Sequence, residues 1–142
     1  MKTQKTLKKV AVVGIATVMT VASSALAFGS DLLMRAYHAE YVDPANVDAN
    51  LHLYEDYGTS TLDSDEDCEL YLYGYVQDNA DGNKYYFRAY TGSGRSIGAS
   101  QEVPFLTERI ESEYKVSSEY SGSTLPTMSL DIYEDYDDVK YY

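Results

Sequence analysis

The segment from Glu69 to Gln77 alternates strictly between small or aliphatic residues and tyrosines, and this pattern constrains the fold more than any other. Its sequence is ELYLYGYVQ. Successive side chains of a β-strand point to opposite sides of the sheet. The segment therefore predicts a strand with one side against a core and a second side made of tyrosines. The first side comprises Leu70, Leu72, Gly74 and Val76, and the second comprises Tyr71, Tyr73 and Tyr75.

A second alternating run, Lys84–Thr91, follows a turn sequence that contains Asp81-Gly82. Asp-Gly between two such runs indicates a β-hairpin, because both central residues of the favoured turn take positive φ. A two-residue turn there would place Val76 opposite Phe87 on the first side. On the second side it would place Gln77 opposite Tyr86, Tyr75 opposite Arg88 and Tyr73 opposite Tyr90, with a cation–π contact between Arg88 and a ring.

We call the second side of this hairpin the tyrosine face. It is predicted to be the binding surface of the protein, although the sequence leaves open whether it is exposed or part of the core. Its members are Tyr71, Tyr73, Tyr75, Tyr86, Arg88 and Tyr90.

Shorter alternating segments predict further strands at residues 31–38, 50–54, 96–103 and 127–133. Residues 57–67 are polar and acidic and are predicted to form a loop, and Gly92–Arg95 is predicted to turn the chain. Residues 107–120 fit both a helical spacing and strand alternation, and we favour the strand because of its all-strand context. About seven short strands predict an all-β fold, a single antiparallel β-sandwich.

The stretch Tyr85–Arg95, YYFRAYTGSGR, passes from a tyrosine-rich strand into a Gly/Ser turn. In this respect the chain resembles small secreted β-sandwich proteins of Gram-positive bacteria. The resemblance covers the central hairpin. It implies a fold more than a function, because such proteins are mostly uncharacterised.

The first 27 residues have the organisation of a secretory signal peptide. A start with four lysines precedes an apolar run of 13 residues, Val10–Ala22, and Ala25-Leu26-Ala27 supplies small residues for cleavage. The apolar run is shorter than the roughly 20 residues that span a bilayer. We therefore predict a secreted domain of residues 28–142 without integral membrane contact after cleavage.

The net charge of the predicted secreted domain limits which molecules it can bind. The predicted signal peptide contains four of the eleven basic residues and none of the 23 acidic ones, which leaves seven against 23 and a net charge of −16. Such a chain repels nucleic acids and anionic membranes, whereas a cationic polymer, a basic protein or a divalent cation would suit it. Alternatively, the charge only keeps an extracellular protein soluble. The sixteen tyrosines argue for a folded chain.

The acidic residues also suggest a calcium site. Asp63, Asp65 and Asp67 have the spacing of the first ligands of an EF-hand, but Cys68 and Gly74 stand where that loop needs glycine and glutamate. An irregular Ca²⁺ site is the remaining alternative. Its further ligands would come from the two Tyr-Glu-Asp-Tyr blocks, as Glu55, Asp56, Glu134 and Asp135. The aliphatic residues before each block predict a strand that ends near the first tyrosine.

Catalytic chemistry has little support in the sequence. His38 and His52 have no neighbours at metal-ligand spacing, and Cys68 is predicted to be a buried apolar residue, with an intermolecular bridge as the alternative. Because carboxylates are plentiful, residue type alone does not exclude a glycosidase. We predict a non-catalytic secreted interaction or surface-associated module that acts through the tyrosine face. The alternatives are a bacteriocin- or toxin-like effector and a calcium-binding extracellular domain.

Overall fold

The computed structural model describes residues 31–132 and the backbone of residues 139–141, so the predicted signal peptide lies outside it. Seven antiparallel strands make up most of the described residues, which confirms the all-β class. None of these residues belongs to a helix long and apolar enough to cross a membrane. The strands are β1 (Leu32–Val42), β2 (Ala45–Tyr54), β3 (Tyr57–Asp78), β4 (Lys84–Glu102), β5 (Thr107–Ser117), β6 (Gly122–Asp131) and β7 (Val139–Tyr141).

The long hairpin of β3 and β4 is shared by both halves of the sheet. β4 pairs with one edge of β3 over almost its whole length. The opposite edge of β3 is divided, because residues 58–64 pair with β2 and residues 69–78 pair with β5. β1 continues the sheet beyond β2, and β6 and β7 continue it beyond β5. All seven strands therefore belong to one hydrogen-bonded sheet.

The sheet curves back on itself, and its two halves enclose the core. β2 contacts β5 and β6, and β1 contacts β6, although none of these pairs is hydrogen-bonded as a ladder. The finer prediction of a sandwich is not confirmed, because one continuous sheet takes the place of two separate ones. The strands are also longer than predicted. Side chains from both halves are fully buried between them, among them Leu51, Leu53, Leu62, Leu70, Leu72, Ile97, Ile110 and Leu130.

The central hairpin turns through a four-residue loop rather than the predicted two-residue turn. The Asp78 N–H donates to the Asn83 carbonyl at 3.0 Å, and the Gly82 N–H, at a φ of 71°, donates to the Asp78 carbonyl at 2.9 Å. The register is consequently displaced by two residues, so that Val76 faces Tyr85. Since two residues is the period of a strand, every side chain keeps its predicted side.

Asp78 explains why the wider loop forms. Its side chain is fully buried, and a buried carboxylate must be hydrogen-bonded. One oxygen accepts the Ala80 N–H at 2.8 Å inside the loop, and the other accepts the Phe105 N–H at 3.0 Å from the β4–β5 connection. A two-residue turn at Asp81-Gly82 would place Asp78 within the ladder and remove the first of these bonds.

The predicted loop at residues 57–67 and the predicted turn at Gly92–Arg95 are both wrong, because these segments lie within β3 and β4. The polar composition was misleading because hydroxyl groups are satisfied inside the fold. The Ser60 hydroxyl is fully buried and lies 2.8 Å from both the Ser112 hydroxyl and the Tyr114 hydroxyl. Paired in this way, a polar side chain occupies a core position at little cost.

Part of the acidic segment does leave the ladder with β4. Asp63 pairs with Ser96 and Cys68 pairs with Gly94, so residues 64–67 bulge opposite the single residue Arg95. A bulge bends its strand and increases the local twist. The bulge lies where β3 passes from its β2 partner to its β5 partner, and it allows the two halves of the sheet to face each other.

The ambiguous segment at residues 107–120 contains β5, which confirms the strand prediction. Its Ile110, Ser112, Tyr114 and Val116 are buried, while Glu111, Glu113 and Lys115 lie on the outer side. β2 ends at Tyr54, as predicted for the first Tyr-Glu-Asp-Tyr block. β6 ends at Asp131, and the second block lies outside the described residues.

Two glycines allow close approach between elements. A Cβ on Gly74 would lie 2.0 Å from the Glu111 carbonyl oxygen and 2.7 Å from the Phe87 ring. A Cβ on Gly58 would lie 2.5 Å from Ile110 Cδ1 and 2.9 Å from Val76 Cγ2, where the two halves of the sheet pack together. At both positions only glycine fits without movement of its neighbours.

We expect Gly74→Ala to lower the free energy of unfolding by about 3 kcal/mol or more, because the new methyl group must displace the backbone of β5. Urea unfolding followed by circular dichroism measures this. Gly122→Ala is the matched control, since its Cβ would meet no atom nearer than the Ser117 hydroxyl at 3.8 Å. The control is expected to change stability by at most about 0.5 kcal/mol. Equal effects of the two variants would contradict the close approach at Gly74.

We expect Tyr114→Phe to destabilise the protein by about 1 kcal/mol near neutral pH, because the bond to Ser60 is lost. Burial raises the pKa of the Tyr114 phenol to about 12. Since the folded pKa lies above the unfolded value of about 10, the hydroxyl's contribution is complete below that pH and falls above it. The deficit of the variant should therefore shrink by about 1 kcal/mol between about pH 8 and about pH 11.

Urea unfolding at these two pH values tests this prediction. Tyr86→Phe, which removes the hydroxyl of an exposed tyrosine, is the control. A deficit for Tyr114→Phe that stays constant with pH would show that the phenol does not titrate as its burial implies.

Candidate functional site

The tyrosine face lies on the outer side of the sheet, across β3 and β4. Its cross-strand pairs are Tyr71 with Tyr90, Tyr73 with Arg88 and Tyr75 with Tyr86. The other side of the same strands is the core, where Leu72 and Val76 are fully buried. All six predicted residues thus share one side, and the open question of exposure is settled. Exposure reaches 37% for Tyr73, 55% for Tyr86 and 57% for Tyr90, while Arg88 is exposed and Tyr71 and Tyr75 are half-buried.

Three rings of the tyrosine face support one another. The Tyr86 ring stacks on the Tyr73 ring with centroids 5.9 Å apart and planes inclined by 20°. It also meets the Tyr75 ring edge-on, again at 5.9 Å, with planes inclined by 61°. Both geometries are favourable for aromatic pairs. The rings therefore hold their positions without a ligand.

Two lysines that the sequence reasoning missed complete the aromatic surface. Lys84 Nζ lies 4.4 Å from the centre of the Tyr75 ring, and Lys115 Nζ lies 5.8 Å from the centre of the Tyr71 ring. The predicted contact of Arg88 with Tyr75 is wrong, because the displaced register sets Arg88 opposite Tyr73. The alternation alone assigns Lys84 to this side of the hairpin, and the loop length decides only that it pairs with Gln77, next to Tyr75.

Carboxylates fix two of the ring hydroxyls. The Tyr90 hydroxyl donates to Glu69 Oε2 at 3.1 Å, and the Tyr75 hydroxyl donates to Glu111 Oε2 at 3.4 Å. The hydrogen bond to Glu69 raises the pKa of the Tyr90 phenol. Burial, followed by the charge of Glu111, raises the pKa of the Tyr75 phenol. Both phenols therefore stay protonated at neutral pH.

A groove continues the tyrosine face at the end that carries Tyr71. Its volume is about 330 Å³, and its lining includes Glu69, Tyr71, Lys115, Ser117, Ser123 and Thr124. A wider cleft of about 500 Å³ begins on the far side of Glu69, where Cys68 forms part of the wall and Tyr120, which is 71% exposed, lies at the rim. Glu69 and Ser117 line both, so the aromatic surface runs without interruption into a concave polar one.

The predicted calcium ligands on β3 are engaged with protein groups. The partners are the Ser96 hydroxyl for Asp63 at 2.6 Å, the Asn46 N–H and Nδ2 for Asp65 at 2.7 Å each, and Arg95 Nε for Asp67 at 3.4 Å. The bonds from the Asn46 side chain and backbone lower the pKa of Asp65. Within the described ranges, no three or more carboxylates, histidines or cysteines converge as metal ligands would.

The remaining calcium candidates lie at the opposite end of β3 or outside the described chain. Glu55 and Asp56 form the corner between β2 and β3, and their backbone carbonyls accept the N–H groups of Thr107 and Val103. Glu134 and Asp135 lie outside the described residues. The calcium prediction stays untested, and the described residues add nothing in its favour.

The surroundings of the two histidines and the cysteine are those of structural residues rather than of metal ligands. His38 Nε2 lies 3.3 Å from Glu40 Oε2. Burial, with a smaller effect of the Arg35 charge, lowers the pKa of His52. Cys68 is a free thiol and is buried, as predicted, with its sulfur 3.6 Å from the Ser64 hydroxyl.

Comparison of the chain with known protein families, curated proteins and solved structures gives no match. The resemblance to secreted Gram-positive proteins therefore stays a prediction.

We expect Tyr86→Ser to cost no more than about 1.5 kcal/mol, the magnitude of an aromatic pair, because the ring is half-exposed and makes its contacts on the surface. Phe87→Ala, one residue away on the core side, should cost about 3–5 kcal/mol. Thermal and urea unfolding of both variants measure the difference. If Tyr86→Ser destabilised the fold as much as Phe87→Ala, the tyrosine face would be part of the core.

Proposed function

We propose that this chain is a non-catalytic extracellular interaction module, associated with a surface, and that the tyrosine face is its working surface. The observation that carries this proposal is the placement of five tyrosines and an arginine on the outer side of the hairpin. The opposite side of the same strands packs into the core. The core itself is supplied by the aliphatic side of the same strands. Folding therefore does not require aromatic residues on the outer side.

The extent of the aromatic surface supports a role in binding. Exposed apolar residues that are scattered singly are ordinary, whereas a contiguous patch rimmed by polar groups is typical of an interaction site. Tyrosine is enriched at interfaces because it offers a large contact area with few rotatable bonds. Tyr73, Tyr75 and Tyr86 touch one another, and Lys84 extends the patch.

The fixed positions of the side chains also support binding. Ring stacking holds Tyr73 and Tyr86, and hydrogen bonds to Glu69 and Glu111 hold the hydroxyls of Tyr90 and Tyr75. Side chains that are ordered before binding lose less entropy when a partner arrives. The tyrosine face thus resembles a preformed surface.

The interactions of the acidic groups support a non-catalytic role. Glu111 accepts from the Tyr75 hydroxyl and lies 3.3 Å from an Arg109 nitrogen. Glu69 accepts from the Tyr90 hydroxyl. These carboxylates orient rings and neutralise a neighbouring charge. The extracellular location is proposed from the predicted signal peptide and from the high acidity that keeps a secreted protein soluble.

A retention assay tests the proposed function. Purified protein beginning at Phe28 is mixed with washed cells of the organism that encodes it, and the bound fraction is measured after sedimentation. We expect the Tyr73→Ser, Tyr86→Ser double variant to lose binding by at least about tenfold, because aromatic anchors dominate such interfaces. The Tyr37→Ser, Tyr41→Ser variant is the matched control, since these tyrosines are 57% and 61% exposed but belong to β1, which β2 separates from β3 in the sheet.

The control variant should bind as the unaltered protein does. If both double variants bound equally well, the tyrosine face would not be the working surface. Circular dichroism of each variant establishes that the fold is retained.

A further inference from the structure

The tyrosine face and its groove combine three kinds of groups on one surface. Aromatic rings extend from the outer side of the hairpin, and Tyr71 is one of the residues that line the groove. Hydroxyl groups of Ser117, Ser123 and Thr124 line the groove. A carboxylate, Glu69, and an ammonium group, Lys115, face the same space. The groove thus offers an apolar platform together with hydrogen-bond donors and acceptors of both signs.

This combination matches the chemistry of a sugar ring. A pyranose has faces of C–H groups, which pack against aromatic rings, and an equatorial rim of hydroxyls that both donate and accept hydrogen bonds. A carboxylate can accept from two neighbouring hydroxyls, and an ammonium group can donate to the same rim. Tyr71 would supply the aromatic platform, and Glu69 and Lys115 would form hydrogen bonds with the hydroxyls of the rim.

The local charge indicates what kind of sugar polymer fits. The whole secreted chain carries a net charge of −16 by sequence, from seven basic and 23 acidic residues. The part of the outer side formed by residues 69–77 of β3, 84–90 of β4 and 109–117 of β5 is nearly neutral by contrast, because it collects four basic residues against three acidic ones. These are Lys84, Arg88, Arg109 and Lys115 against Glu69, Glu111 and Glu113.

A nearly neutral face on a strongly acidic protein disfavours charged polymers for two different reasons. A polyanion is repelled by the molecule as a whole. A polycation is attracted by the acidic remainder of the surface, but the tyrosine face itself offers it no net charge. An uncharged polymer meets neither obstacle, and stacking and hydrogen bonds then decide the affinity.

The spacing of the rings indicates an extended ligand. Alternate residues along a strand lie about 7 Å apart, so a row of three such residues spans about 14 Å, which is longer than a single sugar ring. Tyr75, Tyr73 and Tyr71 follow one another at this spacing along β3, and the groove begins at the last of them. A linear chain laid along β3 would therefore contact more than one of these rings, whereas a single sugar ring would not.

We propose that the tyrosine face binds a linear, uncharged polysaccharide along β3, with a terminal subsite in the groove formed by Tyr71, Glu69 and Lys115. This inference rests on the proposed function, since it names the class of partner for the same surface.

Isothermal titration calorimetry tests the inference with three probes: a hexamer of β-1,4-linked glucose, a hexamer of β-1,4-linked N-acetylglucosamine, and polygalacturonate as the charged comparison. We expect at least one neutral hexamer to bind with a Kd of about 1 mM or below, and its dimer to bind at least about tenfold more weakly. Polygalacturonate should not bind.

Three variants locate the site. Tyr73→Ala with Tyr86→Ala should weaken hexamer binding at least about tenfold, because two platforms are removed. Lys115→Ala with Tyr71→Ala should weaken the hexamer as well, through the groove. Tyr37→Ala with Tyr41→Ala, on β1, should leave it unchanged. Circular dichroism and thermal unfolding identify any variant that fails to fold.

The inference is overturned if neither neutral hexamer binds, if polygalacturonate binds more tightly than they do, or if the β1 variant weakens binding as much as the tyrosine-face variant. Its failure is separate from that of the proposed function. Cell retention that depends on the tyrosine face without any hexamer binding would leave the face as an interaction surface for a protein. Cell retention that does not depend on the face would remove the proposed function itself.

Discussion

The divided edge of β3 is the constraint on which the rest of the structure depends. One edge of this 22-residue strand pairs with β2 along its first part and with β5 along its second part. The other edge pairs with β4. The bulge at residues 64–67 bends the hairpin between these two parts. The contacts of β2 with β5 and β6 show that the two halves of the bent sheet face each other, and the close approach of Gly58 to Ile110 and Val76 shows how closely they pack.

The same arrangement produces the surface proposed to bind. In its second part β3 has hydrogen-bonded neighbours on both edges, so its backbone is held firmly. The curvature of the sheet buries one side of this segment in the core. The tyrosines of the other side are consequently displayed from a rigid base, and Tyr73, Tyr75 and Tyr86 can support one another there. The groove at Tyr71 arises where β5 turns into β6.

Local alternation predicted the hairpin well, and non-local contacts explain the errors. The two-residue displacement of register comes from Asp78, whose buried carboxylate accepts from Phe105, 27 residues along the chain. The misread loop at residues 57–67 contains Ser60, whose hydroxyl is satisfied by Ser112 and Tyr114 on β5. Neither partner can be recognised from neighbouring residues. The lysines over Tyr75 and Tyr71 were missed for the same reason, since their positions depend on the register and on β5.

The sequence by itself determined which side chains of the hairpin share a side, because the period of a strand is two and survives an even change of register. It also determined the all-β class through the same alternation. Only the tertiary structure decided whether the tyrosine side is exposed or buried as well, since a tyrosine fits a core as well as a surface and Tyr114 does lie in the core. The decision came from the curvature of the sheet, which closes over the aliphatic side of β3 and leaves Tyr73, Tyr86 and Tyr90 in solvent.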